Sequence, residues 1–191
     1  MELQRLGFKL FLEDPSRLEI RKLIPVFHSW IQGQVFPDHL LVDVHDYTHI
    51  YGGPGVLLVA HEGNFSLDWA EDRPGLFYYR KQPLDGSLPS RMKEIFRATL
   101  QGCQLLEESD SLGGIQFKTD EMLLVANDRL QAPNLEETFQ QLKPALSEFL
   151  SQVFKGNDFA LTPQLKAKER FAVLVNNTSS TPLKDLLKRV S

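Results

Sequence analysis

The five histidines of this chain, His28, His39, His45, His49 and His61, all fall between Lys22 and Arg73, a stretch that contains no Lys or Arg. Seven acids share that stretch: Asp38, Asp43, Asp46, Glu62, Asp68, Glu71 and Asp72. Imidazole nitrogens and carboxylate oxygens without competing cations are the donor set of a divalent metal or of a cationic ligand. Imidazole also titrates near neutral pH, so an interface built on a close histidine pair would loosen in acid.

Alternation within the stretch assigns these groups to one face of a sheet. Phe65, Leu67 and Trp69 alternate with Asn64, Ser66 and Asp68, and Val42, Val44 and Ile50 lie opposite in parity to Asp43, His45, Tyr47 and His49. A tight turn at Glu62-Gly63 pairs His61 with Asn64. A loop over Tyr51–Gly55, with Val42 and Val44 on the core side, then sets His45 opposite His61. Opposed residues have Cβ atoms about 4.5–5.5 Å apart, so His45, His61 and Asp43 form the expected metal-ligand set. Glu62 or Asp68 is the general base, and an open metal position would activate water. This register turns Glu62 toward the core, which leaves Asp68 as the base. His49, about 13 Å from His45 along an extended strand, stands outside the set. The plain alternative is the wet face of a half-exposed antiparallel sheet, which carries the same residue types.

These residues need a frame. Strand periodicity begins at Phe8, Leu10 and Leu12 and stops at Asp14-Pro15. Leu23, Ile24, Phe27 and Ile31 have helical spacing, with Pro25 in the first turn or kinking the helix and Gly33 as a stop. A meander follows over residues 40 to 81, with Gly or Pro in each turn. A helix is expected over about Pro89 to Glu108, where Met92, Ile95, Phe96, Leu100, Cys103 and Leu106 form one stripe. A hairpin of Ile115–Thr119 with Met122–Asn127 comes next. A second long helix opens with the Asn134-x-x-Glu137 capping pattern and carries Phe139, Leu142, Leu146, Phe149, Leu150 and Val153 on one face, with a kink at Pro144. Lys155 to Lys168 reads as a connector, Phe171–Val175 as a short strand, and Thr181-Pro182 as the start of a terminal helix. The expected fold is α+β, an antiparallel sheet of about six or seven strands with helices packed on one face. Its domain spans residues 1–154, followed by a basic extension over 155–191 packed on it.

Composition narrows the function. The chain has 191 residues, 42% hydrophobic and 24% charged, the range of an ordinary globular domain. A net charge of −4 argues against nucleic acid as a partner. Residues 155–191 carry +4 and the remainder −8, so the tail and the body are complementary surfaces. One cysteine, Cys103, on an apolar stripe, reads as an inert core thiol and fits a reducing compartment. No apolar run long enough for a membrane span or signal sequence is present, so no membrane partner and a cytoplasmic location are expected. There is no phosphate loop, dinucleotide fingerprint, nucleophile elbow or His-Glu-x-x-His pattern.

Two further features are local. Asn127-Asp128-Arg129 lies between a strand and a helix, where Arg129 could clamp a carboxylate or phosphate with Asn127 and Asp128 beside it. The same residues also suit turn chemistry and a helix cap. His28 and Gln32, four apart near Trp30, read as a helix edge with His28 packed.

Several segments resemble a family of uncharacterised bacterial conserved proteins with no assigned activity. They are Ile24-Pro25-Val26-Phe27-His28-Ser29-Trp30-Ile31-Gln32, Asp43-Val44-His45-Asp46-Tyr47, Gly53-Pro54-Gly55-Val56 through His61-Glu62, Arg73-Pro74-Gly75-Leu76, and Asn127-Asp128-Arg129 to Pro133-Asn134. The resemblance implies a bacterial protein and transfers no catalytic residue. The leading expectation is a non-enzymatic binding or interaction protein that self-associates through the meander. The alternative is a metal-dependent, hydrolase-like enzyme using the His/Asp site with a divalent metal, Arg129 orienting an anionic substrate.

Overall fold

Strand β1 (Leu6–Leu12) is buried along its whole length, as only a central strand can be. The computed structural model describes residues 2–156, 158–166 and 169–191; Met1 and Lys168, which belong to segments discussed above, lie outside the described residues. The other strands are β2 (Leu41–Tyr47), β3 (Gly55–Ala60), β4 (Gly63–Asp68), β5 (Gly75–Arg80), β6 (Phe117–Ala126), β7 (Phe159–Pro163) and β8 (Phe171–Asn177). They form one sheet in the order β2-β3-β4-β5-β1-β6-β8-β7, with every neighbouring pair antiparallel. The α+β class with an antiparallel sheet is therefore right, and the sheet has eight strands rather than six or seven.

The helices are α1 (Leu23–Gly33), α2 (Leu88–Glu107), α3 (Glu136–Phe154) and α4 (Leu183–Val190). The side chain of Ser87 accepts from the Ser90 N–H to start α2, with Pro89 in its first turn. Helix α1 runs to Gly33, and the next residue, Gln34, takes the left-handed conformation at φ 47°. Both long helices bury the stripes read from sequence. Phe8 of β1, Phe96 of α2 and Phe149 of α3 meet at centroid distances of 5.1, 5.6 and 5.7 Å. Gly102 lets α2 approach closely: a Cβ there would stand 2.8 Å from the Leu76 side chain. Each fully buried Leu or Phe in this layer contributes about 1.5–3 kcal/mol.

Three differences from the sequence reading have clear causes. The hairpin expected at 115–127 is a single ten-residue strand, β6. Its pairing with β1 shifts between Leu10↔Met122 and Leu12↔Phe117, so a bulge produces the break in alternation that reads as a turn. Strand β7 occupies part of the expected connector; it is an edge strand of half-exposed residues, which leaves little alternation to detect. Residues 159–190 therefore supply two strands of the common sheet and a helix packed on α2 and α3, so position 154 separates elements of one body.

The expected capping box is the third difference. Helix α3 begins after Leu135, and no side chain caps it. Asn134 instead donates through Nδ2 toward the carbonyls of Gln164, Lys166 and Arg170, at 3.1, 3.0 and 3.3 Å. It pins the β7–β8 loop to the start of α3.

Candidate functional site

The sheet has two unlike faces. Leu6, Phe8 and Leu10 point into the main core with the helix stripes, whereas Phe77, Val125 and Ala172 form a separate small cluster with Tyr79 and Leu123. No helix residue joins that second cluster. Strand pairing fixes its layout. One row across the open face runs His45, Leu57, Ser66, Phe77, Lys9, Leu123, Leu174 and Thr162. The next runs Asp43, Val59, Asn64, Tyr79, Gly7, Val125 and Ala172. Gly7 gives the Phe77 ring its place; a Cβ there would lie 2.6 Å from that ring.

Four connections rise around this surface and enclose a groove of about 620 Å³. They contribute Gly52 from the β2–β3 loop, Ala70 and Arg73 from β4–β5, Asn127 and Arg129 after β6, and Gln164, Glu169 and Arg170 from β7–β8. The floor is apolar, from Phe11 and Phe77 to Leu123, Val125, Ala172 and Leu174. A volume of this size suits a small organic ligand.

Charge inside the groove is organised. Lys9 is only 3% exposed, and its Nζ donates to Asp68 Oδ1 at 2.6 Å. The same carboxylate oxygen accepts from the Ala70 N–H at 2.9 Å. A buried ion pair of this kind adds little net stability, because desolvation offsets the Coulomb gain, but removing one partner strands a charge. Arg73 lies 3.8 Å over the Phe11 ring and pairs with Glu121 at 2.6 Å. Arg170 rests 5.5 Å over the Phe77 ring and has no carboxylate in ion-pair range among the described residues. The Asn134 clamp on the Arg170 carbonyl holds its backbone in that position.

The residues expected to form a metal site are dispersed. The face assignment stands: Asp43, His45, Asn64, Ser66 and Asp68 share the open face. The register is displaced by four residues between β2 and β3 and by two between β3 and β4, which preserves parity but moves every partner. His45 faces Leu57, not His61. Val59 pairs with Asn64, so His61-Glu62 forms the turn in place of Glu62-Gly63. His61 is thus about 13 Å beyond the point opposite His45, at roughly 3.3 Å per residue. Only Asp43 remains beside His45, at 3.7 Å. Among the described residues, no group of three or more His, Cys, Asp or Glu is arranged to hold a metal ion.

The remaining candidates separate in the same way. Asp68 lies in the groove, bound to Lys9. Glu62 accepts from the Leu40 N–H at 2.8 Å; burial raises its pKa most, but this bond, the Glu62 backbone N–H and the nearby His39 and His61 together hold the carboxyl below its ordinary range. It anchors the start of β2. Asn127 and Arg129 line the groove, while Asp128 accepts from the Gln131 N–H at 3.2 Å and builds the turn. His28 is exposed rather than packed. Cys103 is fully buried, and burial pushes its thiol well up, which leaves it inert.

Sequence reasoning missed Lys9, Phe11, Arg73 and Arg170. Alternation in β1 does place Lys9 and Phe11 on the face opposite Leu10, but burial of Lys9 follows from the strand order, which no local pattern records.

No protein-family model matches the chain, and no curated protein matches it. None of the described helices is long and apolar enough to cross a membrane.

Proposed function

We propose that this is a non-enzymatic binding protein whose site is the groove on the open face of the sheet. The reading rests chiefly on one observation: an apolar floor with Lys9 and Asp68 buried at its centre and arginines on its rim. A sheet face that needed only solubility would carry scattered, exposed polar groups. This one carries apolar side chains below 10% exposure, such as Phe77 at 7% and Val125 at 5%, without a helix over them. The polar groups converge instead of scattering, as they do in ligand sites. Of the carboxylates read from sequence as a base and a metal ligand, Asp68 is bound to Lys9, and Asp43 has only His45 of the expected ligands beside it.

The test is saturable binding of 1-anilinonaphthalene-8-sulfonate to the folded protein. One dye per chain is expected, with enhanced fluorescence. Leu174→Trp, which fills the floor, should weaken it at least tenfold with an unchanged circular dichroism spectrum. Absence of binding, or full binding to the filled variant, contradicts the reading.

Self-association is the second reading, favoured by a different observation. Strand β2 is an edge of the sheet; Leu40 just before it and Val42 within it are 65% and 57% exposed. Light scattering on the wild type and on Val42→Lys decides it: a dimer that dissociates in the variant supports the reading, and a wild-type monomer ends it.

A further inference from the structure

We infer that the ligand of this groove is an amphipathic anion: one carboxylate or similar acidic group on an elongated apolar body. The inference rests on the groove being the binding site. Its charge argument comes from Arg170. That guanidinium sits over an aromatic ring, at the groove, with no acidic partner among the described residues. Arg73, by contrast, is paired with Glu121, and Lys9 with Asp68. Among the described residues Arg170 thus keeps its hydrogen-bonding fork unspent, and a planar anion is its complement. Asn127 lines the same end and adds an amide donor.

The apolar body has a defined path. Asn127 N–H bonds to the Arg5 carbonyl, so the Arg170 end lies near Arg5 of the sheet's central chain. The Arg170 guanidinium itself lies over the Phe77 ring, beside Gly7, and Phe11 is four residues further along β1, or about 13 Å at roughly 3.3 Å per residue. The floor along that stretch is Leu123 and Leu174, in the row of Lys9. A ligand with its head on Arg170 lays a chain along this strip toward Phe11. A cationic head in the same place would meet the Arg170 guanidinium and be repelled.

Three probes with the same twelve-carbon tail separate the possibilities: dodecanoate, dodecanol and dodecyltrimethylammonium, each titrated calorimetrically below its micelle concentration. Dodecanoate should bind at least tenfold more tightly than dodecanol, and the ammonium compound should not bind measurably. Arg170→Gln should remove that tenfold preference, read as the ratio of dodecanoate to dodecanol affinity in the variant. Equal binding of carboxylate and alcohol to the wild type, or a preference that survives Arg170→Gln, overturns the anion assignment while the groove reading stands. If none of the three binds, the groove reading falls with it.

Discussion

The two faces of one sheet are made by the same strands, yet they obey different rules. Leu6, Phe8 and Leu10 of β1 are fully buried under helices, among other aliphatic and aromatic side chains. Gly7, Lys9 and Phe11 alternate with them and look into the groove. On the covered face every choice serves packing. On the open face a buried ion pair, two arginines held over aromatic rings and a glycine beneath a phenylalanine serve shape and charge. The difference teaches that burial alone does not mark the structural core. The same strands carry a stabilising face and a recognising face, one residue apart.

The comparison breaks if the two faces respond alike to mutation. Phe8→Ala should cost about 3–5 kcal/mol in denaturant unfolding, through lost transfer energy and a cavity. Phe77→Ala, on the open face, should cost about 1–3 kcal/mol and should weaken dye binding, which Phe8→Ala does not do while folded. Equal losses, with binding untouched in Phe77→Ala, would erase the distinction.

Lys9 and Asp68 sharpen it further. Lys9→Met leaves an uncompensated buried carboxylate and should cost roughly 3–5 kcal/mol. The double variant Lys9→Met/Asp68→Leu should recover most of that loss. It should nevertheless bind the anionic dye less well, because the polar centre of the groove is gone. A double variant as unstable as the single one would make the pair a structural element, and the open face would lose its special standing.

Asn134→Ala should cost about 1–3 kcal/mol, since it leaves carbonyls of the β7–β8 loop without a donor. It should also lower the affinity for dodecanoate more than for dodecanol, because Arg170 loses its clamp. The smallest effect belongs to the covered side. His39 Nε2 lies 2.6 Å from the Tyr78 hydroxyl; burial, then the charge of Arg80, holds the imidazole below its ordinary pKa of 6.5. The unfolded chain therefore binds the proton more readily, and stability present above pH 6.5 declines as the pH falls toward the folded-state value. His39→Gln should flatten that slope in pH-dependent unfolding. Dye affinity, read at the other face, should not change in the variant.

Much of this architecture was legible in the chain. The helix stripes from Met92 to Leu106 and from Phe139 to Val153 needed only their 3.6-residue period, and alternation placed Asp43, His45, Ser66 and Asp68 on the open face. The register was another matter. Slipping by two or four residues keeps every side chain on its face, so the pattern of Val56, Leu58 and Phe65 fits both alignments equally, and the histidine pairing depended on the choice. The groove was harder still. Its members come from β1, β4, β5, β6, β8 and four loops, and they meet only because β1 inserts between β5 and β6. Lys9 carries no local mark of that position.

The central claim is that ligands enter at the open face. It is tested most directly by amide chemical shifts of the isotopically labelled protein during titration with 1-anilinonaphthalene-8-sulfonate. The largest changes should fall on Lys9, Phe77, Leu123, Val125, Ala172 and Leu174, with Arg170 and Asn127 at one end. Changes concentrated on the β2 edge, or around the smaller cavity of about 160 Å³ lined by His39, Tyr78, Arg80 and Arg97, would contradict it.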